Sequence, residues 1–356
     1  MFLNSEMVDF AALGGAFLGG GGGGSLEEGR RLGGLAVRRG RPTLVRMEEI
    51  PADATLVTVS AVGAPAAPEA SVDPADYIRT IELLRLHGIH PAGLIASESG
   101  GLATLNGWYQ AAALGIPVVD APCNGRAHPL GLMGSMGLHA LEGYRSIQAA
   151  SGGSRTRQQY LEIVVTGRLA DTAHLIRLAA VQAGGLVAVA RNPVRATYAA
   201  RNAASGAVAQ AIEIGRRIRG ARSCRAAVEA VLDYLGGGEV AAEGCVEGFA
   251  LETTGGFDVG SLRVGSDASG YYDLSFCNEY VCMEREGMRL ATFPDLMTTM
   301  NSQTGLPVTT AQIEVGMPLV VVCVPRRLLK LGAGMRDLSL FRPLEEMTGK
   351  EIVRYL

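Results

Sequence analysis

The densest group of reactive side chains in the sequence is one short segment, Cys123-Asn124-Gly125-Arg126-Ala127-His128. Arg126 can bind a carboxylate through two parallel hydrogen bonds, and Asn124 beside it is a second candidate for substrate binding. Cys123 and His128 offer a thiolate and an imidazole, both of which suit zinc. Their spacing of five residues is not a recognised zinc motif, so a buried thiol and a capping histidine remain an alternative interpretation.

Two acidic residues, Glu98 and Asp120, each follow an apolar, strand-like stretch. An acid at such a position can anchor the start of a helix, or it can bind a ring N–H group or act as a general base. Neither residue alone is a specific sign of a catalytic site. Together, at the ends of what could be neighbouring strands, they are candidate catalytic residues, and His128 is a third.

A polar pair, Asn278-Glu279, interrupts an apolar stretch that has the composition of a β-strand. Burying such a pair is costly unless it is hydrogen-bonded or faces a site. We therefore include Glu279 among the candidate catalytic residues and Asn278 among the candidate substrate-binding residues.

Six consecutive glycines run from Gly19 to Gly24. No Lys-Ser/Thr pair follows them, which excludes a Walker A loop. The glycine spacing of the dinucleotide-binding pattern matches, but any spacing matches within a run of glycines, and no clear strand precedes the run. A flexible linker between two helices is one interpretation. We favour ligand contact, because glycine allows close backbone approach and a helix N-terminus favours an anion. The candidate binding residues of this run are Gly21, Gly22, Gly23, Gly24 and Ser25.

The elements that must position these residues alternate between helices and short strands over roughly the first 145 residues. Such alternation predicts an α/β domain with a mainly parallel sheet and crossover helices, whose ligands bind at the carboxyl ends of the strands. The predicted helices are residues 5–18, a helix from the Ser25 cap to about Arg39, and one starting at Asp73-Pro74. The predicted strands are Leu44 to Met47, Leu56 to Val59, Gly93 to Ala96 and Ile116 to Asp120.

The pattern changes after about residue 160. Two strand-like stretches are followed by two helices over 196–219 and 223–235, and the remainder is mostly β-type, including one long stretch from Tyr271 to Met283. We predict a β-rich C-terminal domain with an inserted helical pair, and place the two domains at residues 1–165 and 166–356.

Composition limits the function further. A chain of 356 residues suggests two domains, and 48% hydrophobic residues can build real cores. The net charge is −3, with Lys and Arg dispersed, which argues against nucleic acid or membrane partners. No apolar stretch approaches the roughly 20 residues that cross a bilayer. We expect a soluble cytoplasmic protein that acts on a small molecule, and we expect a homo-oligomer.

The sequence resembles the S-methyl thiohydantoin desulfurase-like proteins, a bacterial family, over nearly its whole length. Several segments occurring in the same order carry the resemblance, and together they are more specific than any one of them. These segments are Ala12-Leu13-Gly14-Gly15-Ala16-Phe17-Leu18-Gly19, Gly63-Ala64-Pro65 with Glu69, Glu98-Ser99-Gly100-Gly101, Gly115-Ile116-Pro117-Val118-Val119-Asp120, Gly125-Arg126-Ala127, Asn278-Glu279, Pro294-Asp295-Leu296, Thr304-Gly305 and Gly316.

The resemblance implies two domains with a break near residue 165 and an enzyme that replaces sulfur by oxygen at a thiohydantoin carbon. A related desulfhydrase of ergothioneine breakdown is expected to convert a thiohydantoin propionate into hydantoin propionate and hydrogen sulfide, with Arg126 here holding the propionate. Family members also sit beside hydantoinase-type enzymes. A cyclic-amide or hydantoin hydrolase, and a non-catalytic ligand-binding subunit of a hydantoinase-type complex, are therefore alternatives.

The sequence departs from the commoner family pattern in one region. Many members carry an aspartate at the position of Pro122 and an acid at the position of Leu130. Here Cys123 and His128 add different chemistry, which favours a thiophilic metal. We therefore expect that these two residues bind zinc, and that zinc lowers the pKa of an attacking water to about 7.

Overall fold

The structure is a computed structural model that describes residues 1–64, 67–266 and 270–356. Pro65, which belongs to one of the family segments, lies outside the described residues. Within the described residues, no helix is long and apolar enough to cross a membrane. The α-helices are α1 (Ser5–Gly19), α2 (Leu26–Arg39), α3 (Pro74–Leu86), α4 (Trp108–Leu114), α5 (Leu169–Gln182), α6 (Ala196–Asn202), α7 (Ala207–Gly220), α8 (Cys224–Leu235) and α9 (Arg342–Thr348).

The strands form two sheets. The first sheet contains β1 (Leu44–Val45), β2 (Thr55–Gly63), β3 (Gly93–Ala96), β4 (Val118–Val119), β5 (Ser146–Gly152), β6 (Leu161–Gly167) and β7 (Leu186–Arg195). The second sheet contains β8 (Glu239–Thr254), β9 (Phe257–Ser266), β10 (Gly270–Cys277), β11 (Glu279–Arg285), β12 (Met288–Thr292), β13 (Leu296–Asn301), β14 (Pro307–Val308) and β15 (Pro318–Val324).

The first sheet has the order β1-β4-β3-β2-β7-β5-β6. The strands β1, β4, β3 and β2 pair in parallel, whereas β7, β5 and β6 are added in antiparallel pairing. The α/β class is confirmed, and the sheet is mixed rather than parallel throughout. Because β3 and β4 lie in the parallel half, the polar loops that follow them do lie at carboxyl strand ends. The sheet continues past residue 165, since β7 joins it.

The second sheet is antiparallel throughout, which confirms the β-rich C-terminal domain. The predicted helix over 196–219 is two helices, α6 and α7, which are interrupted at residues 203–206, whereas the predicted helix over 223–235 corresponds to α8. Helix α7 packs closely on α1. A Cβ atom on Gly14 would overlap the carbonyl oxygen of Ala211, and one on Gly215 would overlap that of Phe10. Because side chains are missing at this crossing, the backbones of the two helices approach closely. One apolar cluster consequently joins α1, α7 and α8 to strands of the second sheet.

The predicted single strand from Tyr271 to Met283 is instead a tight hairpin. Strands β10 and β11 turn at Asn278, which has a φ of 57°, and Cys277 pairs with Glu279 on either side. Asparagine tolerates this left-handed conformation better than most residues. The polar pair therefore interrupts an apolar stretch because it forms the tip of a hairpin.

Candidate functional site

A cleft of about 740 Å³ lies between the first sheet and the hairpin of β10 and β11. Its lining comes from the glycine run, from the loops after β3 and β4, and from the second domain. The predicted site residues that line it are Gly21, Gly22, Gly23, Gly24, Ser25, Glu98, His128, Asn278 and Glu279. Long-range pairing thus brings together residues separated by more than half of the chain.

The glycine run is wedged between two other parts of the protein. A Cβ atom on Gly22 would overlap the carboxylate of Glu279, and one on Gly23 would lie 2.6 Å from the Cα atom of Gly100. The carbonyl oxygen of Gly21 accepts a hydrogen bond from the Thr310 amide at 2.8 Å. These close contacts disfavour a flexible linker and explain why side chains are missing along the run.

Of the carboxylates that we predicted to be catalytic, Glu98 and Glu279 line the cleft. Burial raises the pKa of Glu98 to about 7, although the His128 amide, 3.1 Å from Oε2, and nearby arginines favour its charged form. Burial, followed by the charge of Glu98, raises the pKa of Glu279 well above its usual range. Since each charge opposes the other, the two groups titrate as a pair that retains a proton near neutral pH.

His128 lies beside this pair as a neutral imidazole. Burial, with the charge of Arg191, lowers the pKa of His128 to about 3. Its Nε2 atom is 3.4 Å from Glu98 Oε2. The Ser97 backbone carbonyl lies close enough to favour the protonated ring, although neither ring nitrogen forms a well-aligned hydrogen bond with a described residue. Buried polar atoms normally have partners, so His128 is available to a ligand or a water.

Two arginines in the cleft were not predicted from the sequence. Arg177 lies on α5 and Arg191 on β7, and both line the cleft. Arg191 and the neighbouring Asn192, both buried, interrupt a strand whose other buried residues are apolar. This is the same signal that drew attention to Asn278 and Glu279. That signal was present in the sequence and could have identified Arg191.

Asn124 and Arg126 are placed differently from their predicted role, because neither lines the cleft. The Arg126 side chain is fully buried, and its Nη1 atom donates to the carbonyl oxygens of Pro294 at 3.2 Å and Asp295 at 2.6 Å. The Asn124 side chain donates to the Arg126 carbonyl at 2.9 Å. Arg126 therefore connects the two domains, and Asn124 accepts a hydrogen bond from the Gly332 amide at 3.1 Å. Arg126 is not exposed to hold a substrate carboxylate.

Asp120 also lies away from the cleft. Its Oδ1 atom accepts a hydrogen bond from the Val208 amide at 2.8 Å, and its carbonyl oxygen accepts one from Gly206. Gly206 precedes α7 and has no side chain, so Asp120 supplies the cap from a distant part of the chain. The helix-anchor interpretation thus agrees with this position, whereas contact with a substrate does not.

The substitution Asp120→Ala is expected to lower the free energy of unfolding by about 0.5–2 kcal/mol, the usual cost of losing a helix cap. We expect kcat to stay close to wild type, because Asp120 does not line the cleft. Urea denaturation and turnover at saturating substrate check the two parts. If the variant folds but its kcat falls more than about tenfold, Asp120 takes part in catalysis.

The residues present do not fit a zinc site formed by Cys123 and His128. The Cys123 thiol lies 3.2 Å from the Thr58 hydroxyl within an apolar cluster, and burial raises its pKa to about 11. Zinc binds the thiolate, which this environment disfavours. His128 instead faces the cleft, and the described ranges contain no group of three or more His, Cys, Asp or Glu residues suited to a metal.

A serine–histidine–aspartate chain outside the cleft has the composition of a catalytic triad. Ser135 Oγ is 3.3 Å from His139 Nδ1, and His139 Nε2 is 2.7 Å from Asp337 Oδ2. However, Ser135 is fully buried, and its hydroxyl donates to the Leu132 carbonyl at 2.6 Å. A nucleophilic serine must reach substrate, so this chain is structural and ties the C-terminal segment to the first domain.

The raised pKa of Glu98 predicts a pH-dependent stability. Between the ordinary pKa of 4.5 and about 7, the folded protein binds this proton more tightly than the unfolded chain. The contribution to the free energy of unfolding is therefore fully present below pH 4.5 and is lost as the pH rises through about 7. Glu98→Gln should remove as much as about 3 kcal/mol of this dependence. Urea denaturation across the pH range measures it, and a stability difference from wild type that does not change with pH would contradict the assignment.

The fold and the cleft define a two-domain protein in which an α/β domain and an antiparallel β-domain enclose a small-molecule-sized site. The chain belongs to the S-Me-THD-like family: residues 6–156 match its N-terminal domain and residues 169–330 its C-terminal domain. The family predicted from the sequence is thereby confirmed.

Among solved structures, the chain is similar to a crystal structure of a protein from Chromobacterium violaceum. It has a TM-score of 0.73 and 18% sequence identity, and the alignment covers 97% of this chain and 96% of that chain. At this identity the similarity shows the fold alone. A search of curated proteins finds no match.

Proposed function

We propose that the protein catalyses hydrolytic desulfurisation of a small thiohydantoin, of the thiohydantoin propionate type, with release of sulfide. The observation that carries this proposal is the pair of buried carboxylates, Glu98 and Glu279, which face one cleft from the two domains. Such a pair supplies a general base and a general acid at the same pH. Family membership supports the desulfurase theme.

In the proposed reaction, ionised Glu98 accepts a proton from water while the water oxygen bonds to the thiocarbonyl carbon. Protonated Glu279 donates its proton to the sulfur, which gives a tetrahedral carbon bearing a hydroxyl and a thiol. The hydroxyl proton then passes to Glu279 as the carbonyl forms. The carbon–sulfur bond breaks, the sulfur takes the proton held by Glu98, and hydrogen sulfide leaves. Both carboxyl groups return to their initial states.

His128 and the glycine run would bind and orient the ring. A neutral imidazole can accept a hydrogen bond at one nitrogen and donate one at the other, which matches the N–H and carbonyl groups of a hydantoin ring. Gly21 to Gly24 expose backbone groups along the same wall. No step in this scheme requires zinc.

The test is to incubate the purified protein with thiohydantoin propionate and to measure sulfide, with and without added zinc. Sulfide formed with hydantoin propionate in equal amounts supports the proposal. Ring opening without sulfide would indicate a cyclic-amide hydrolase instead. Ligand binding without turnover, together with a co-purifying partner chain, would indicate a subunit of a hydantoinase-type complex. The homo-oligomer and the cytoplasmic location stay predictions.

A further inference from the structure

Arg191 is a buried cation without a direct partner. Its side chain is within the cleft lining, and the residue is only 4% exposed. Its Nε atom is fully buried and makes no hydrogen bond to any described residue. The Glu98 charge favours the protonated guanidinium, but Arg191 belongs to none of the ion pairs within 4.0 Å among the described residues. A buried charge that lacks a partner is strongly destabilising, so its retention points to a ligand that completes it.

Arg177 brings a second positive charge to the same cleft, and the protein holds it in position. Its Nη1 atom donates to the Gly256 carbonyl at 2.6 Å, and its Nη2 atom lies 3.4 Å from the Pro129 carbonyl. The guanidinium also lies 3.9 Å above the Phe257 ring. Neutral carbonyls and a ring orient the group without cancelling its charge, so it contributes to the field inside the cleft.

We propose that Arg191 and Arg177 form a subsite that binds a carboxylate group of the substrate. His128 beside them is uncharged, and the two glutamates share a proton. The other charged residues of the lining are already engaged: Glu28 pairs with Arg31 at 2.9 Å, and Asp258 accepts a hydrogen bond from the Thr253 hydroxyl at 2.7 Å. The two guanidinium groups are therefore the charged groups of this lining that remain available to an anionic ligand. A planar carboxylate matches the fork of donors that arginine presents. A dianionic phosphate would meet the charge of Glu98, which disfavours it. The nature of the ring rests on the proposed function, whereas the charge of the ligand does not.

A competing explanation is that Arg191 only balances the charge of Glu98. That explanation and ours differ for ligands of different charge. If Arg191 acts through Glu98, its loss should affect a charged ligand and its neutral analogue equally. If Arg191 binds the ligand carboxylate, its loss should weaken the binding of the charged ligand only.

The experiment measures the affinity of hydantoin propionate and of its uncharged propionamide by calorimetry. Wild-type protein should bind the acid more tightly. Arg191→Gln should lower the affinity for the acid by about 10–100-fold, because the charge-assisted hydrogen bonds to the carboxylate are lost. The affinity for the amide, which does not make these bonds, should change less than about threefold. Arg225→Gln is the matched control, because the Arg225 side chain is 85% exposed and lies far from the cleft lining.

Several outcomes would overturn the subsite. These are equal affinity of wild type for acid and amide, equal weakening of both by Arg191→Gln, and failure of wild type to bind the acid at all. If Arg191→Gln does not fold, Arg191→Lys keeps the charge and loses the fork, and should still weaken the acid selectively. The desulfurisation proposal fails separately: selective acid binding without sulfide release would leave the subsite in place.

Discussion

Replacing Glu279 by glutamine is expected to lower kcat for sulfide release about 10²–10⁴-fold, the usual contribution of a general acid or base. Glutamine keeps the shape of the side chain but cannot give a proton to sulfur. The amide also removes the coupling to Glu98, because the group whose pKa the Glu98 charge raises is no longer there to titrate. The basic limb of the pH–rate profile, which reports the acid, should disappear together with most of the activity.

The control for this variant is Glu229→Gln, which makes the same chemical change at a side chain that is 67% exposed. Thermal unfolding of both variants separates lost chemistry from lost structure. Wild-type kcat in a folded Glu279→Gln protein would remove Glu279 from the mechanism. The double variant with Glu98→Gln should lose little more than the worse single variant, since the two carboxylates act as a unit.

Local chemistry made many elements of this fold predictable. Ser25 accepts a hydrogen bond from the Glu28 amide at 3.1 Å, and α3 begins at Pro74 after the Asp73 cap, as the sequence indicates. These interactions involve neighbours within one helical turn. The strands β3 and β4 were also found, because a short apolar stretch between turn residues is a local signal.

Long-range contacts explain why some candidate site residues do not line the cleft. Asp120 caps a helix that starts 87 residues later in the chain. The Cys123 thiol contacts the hydroxyl group of Thr58 on β2. Neither partner can be read from the sequence around the residue. Arg126 is sequestered for the same reason, since its partners Pro294 and Asp295 lie 168 and 169 residues later in the chain. A dense cluster of reactive residue types in the sequence is therefore as compatible with buried contacts between distant parts of the chain as with a catalytic site.

The glycine run permits a second test with a large expected effect. The substitution Gly22→Ala adds one methyl group that would overlap Glu279 Oε1, with the rest of that carboxylate nearby. Glu279 must move, so we expect a loss of sulfide release comparable to that of Glu279→Gln. Overpacking of this kind also costs about 1–3 kcal/mol of stability.

Gly220→Ala is the matched control, because a Cβ atom at Gly220, the last residue of α7, meets nothing within 4 Å. Its stability should stay within about 1 kcal/mol of wild type, and its turnover should be unchanged. If Gly22→Ala kept full turnover, the run would not position Glu279. Loss of turnover with a wild-type unfolding midpoint would instead separate the two functions of the run: holding the carboxylate for chemistry and packing the two domains together. Because the three atoms nearest to a Cβ on Gly22 all belong to the Glu279 side chain, we expect the catalytic loss to exceed the loss of stability.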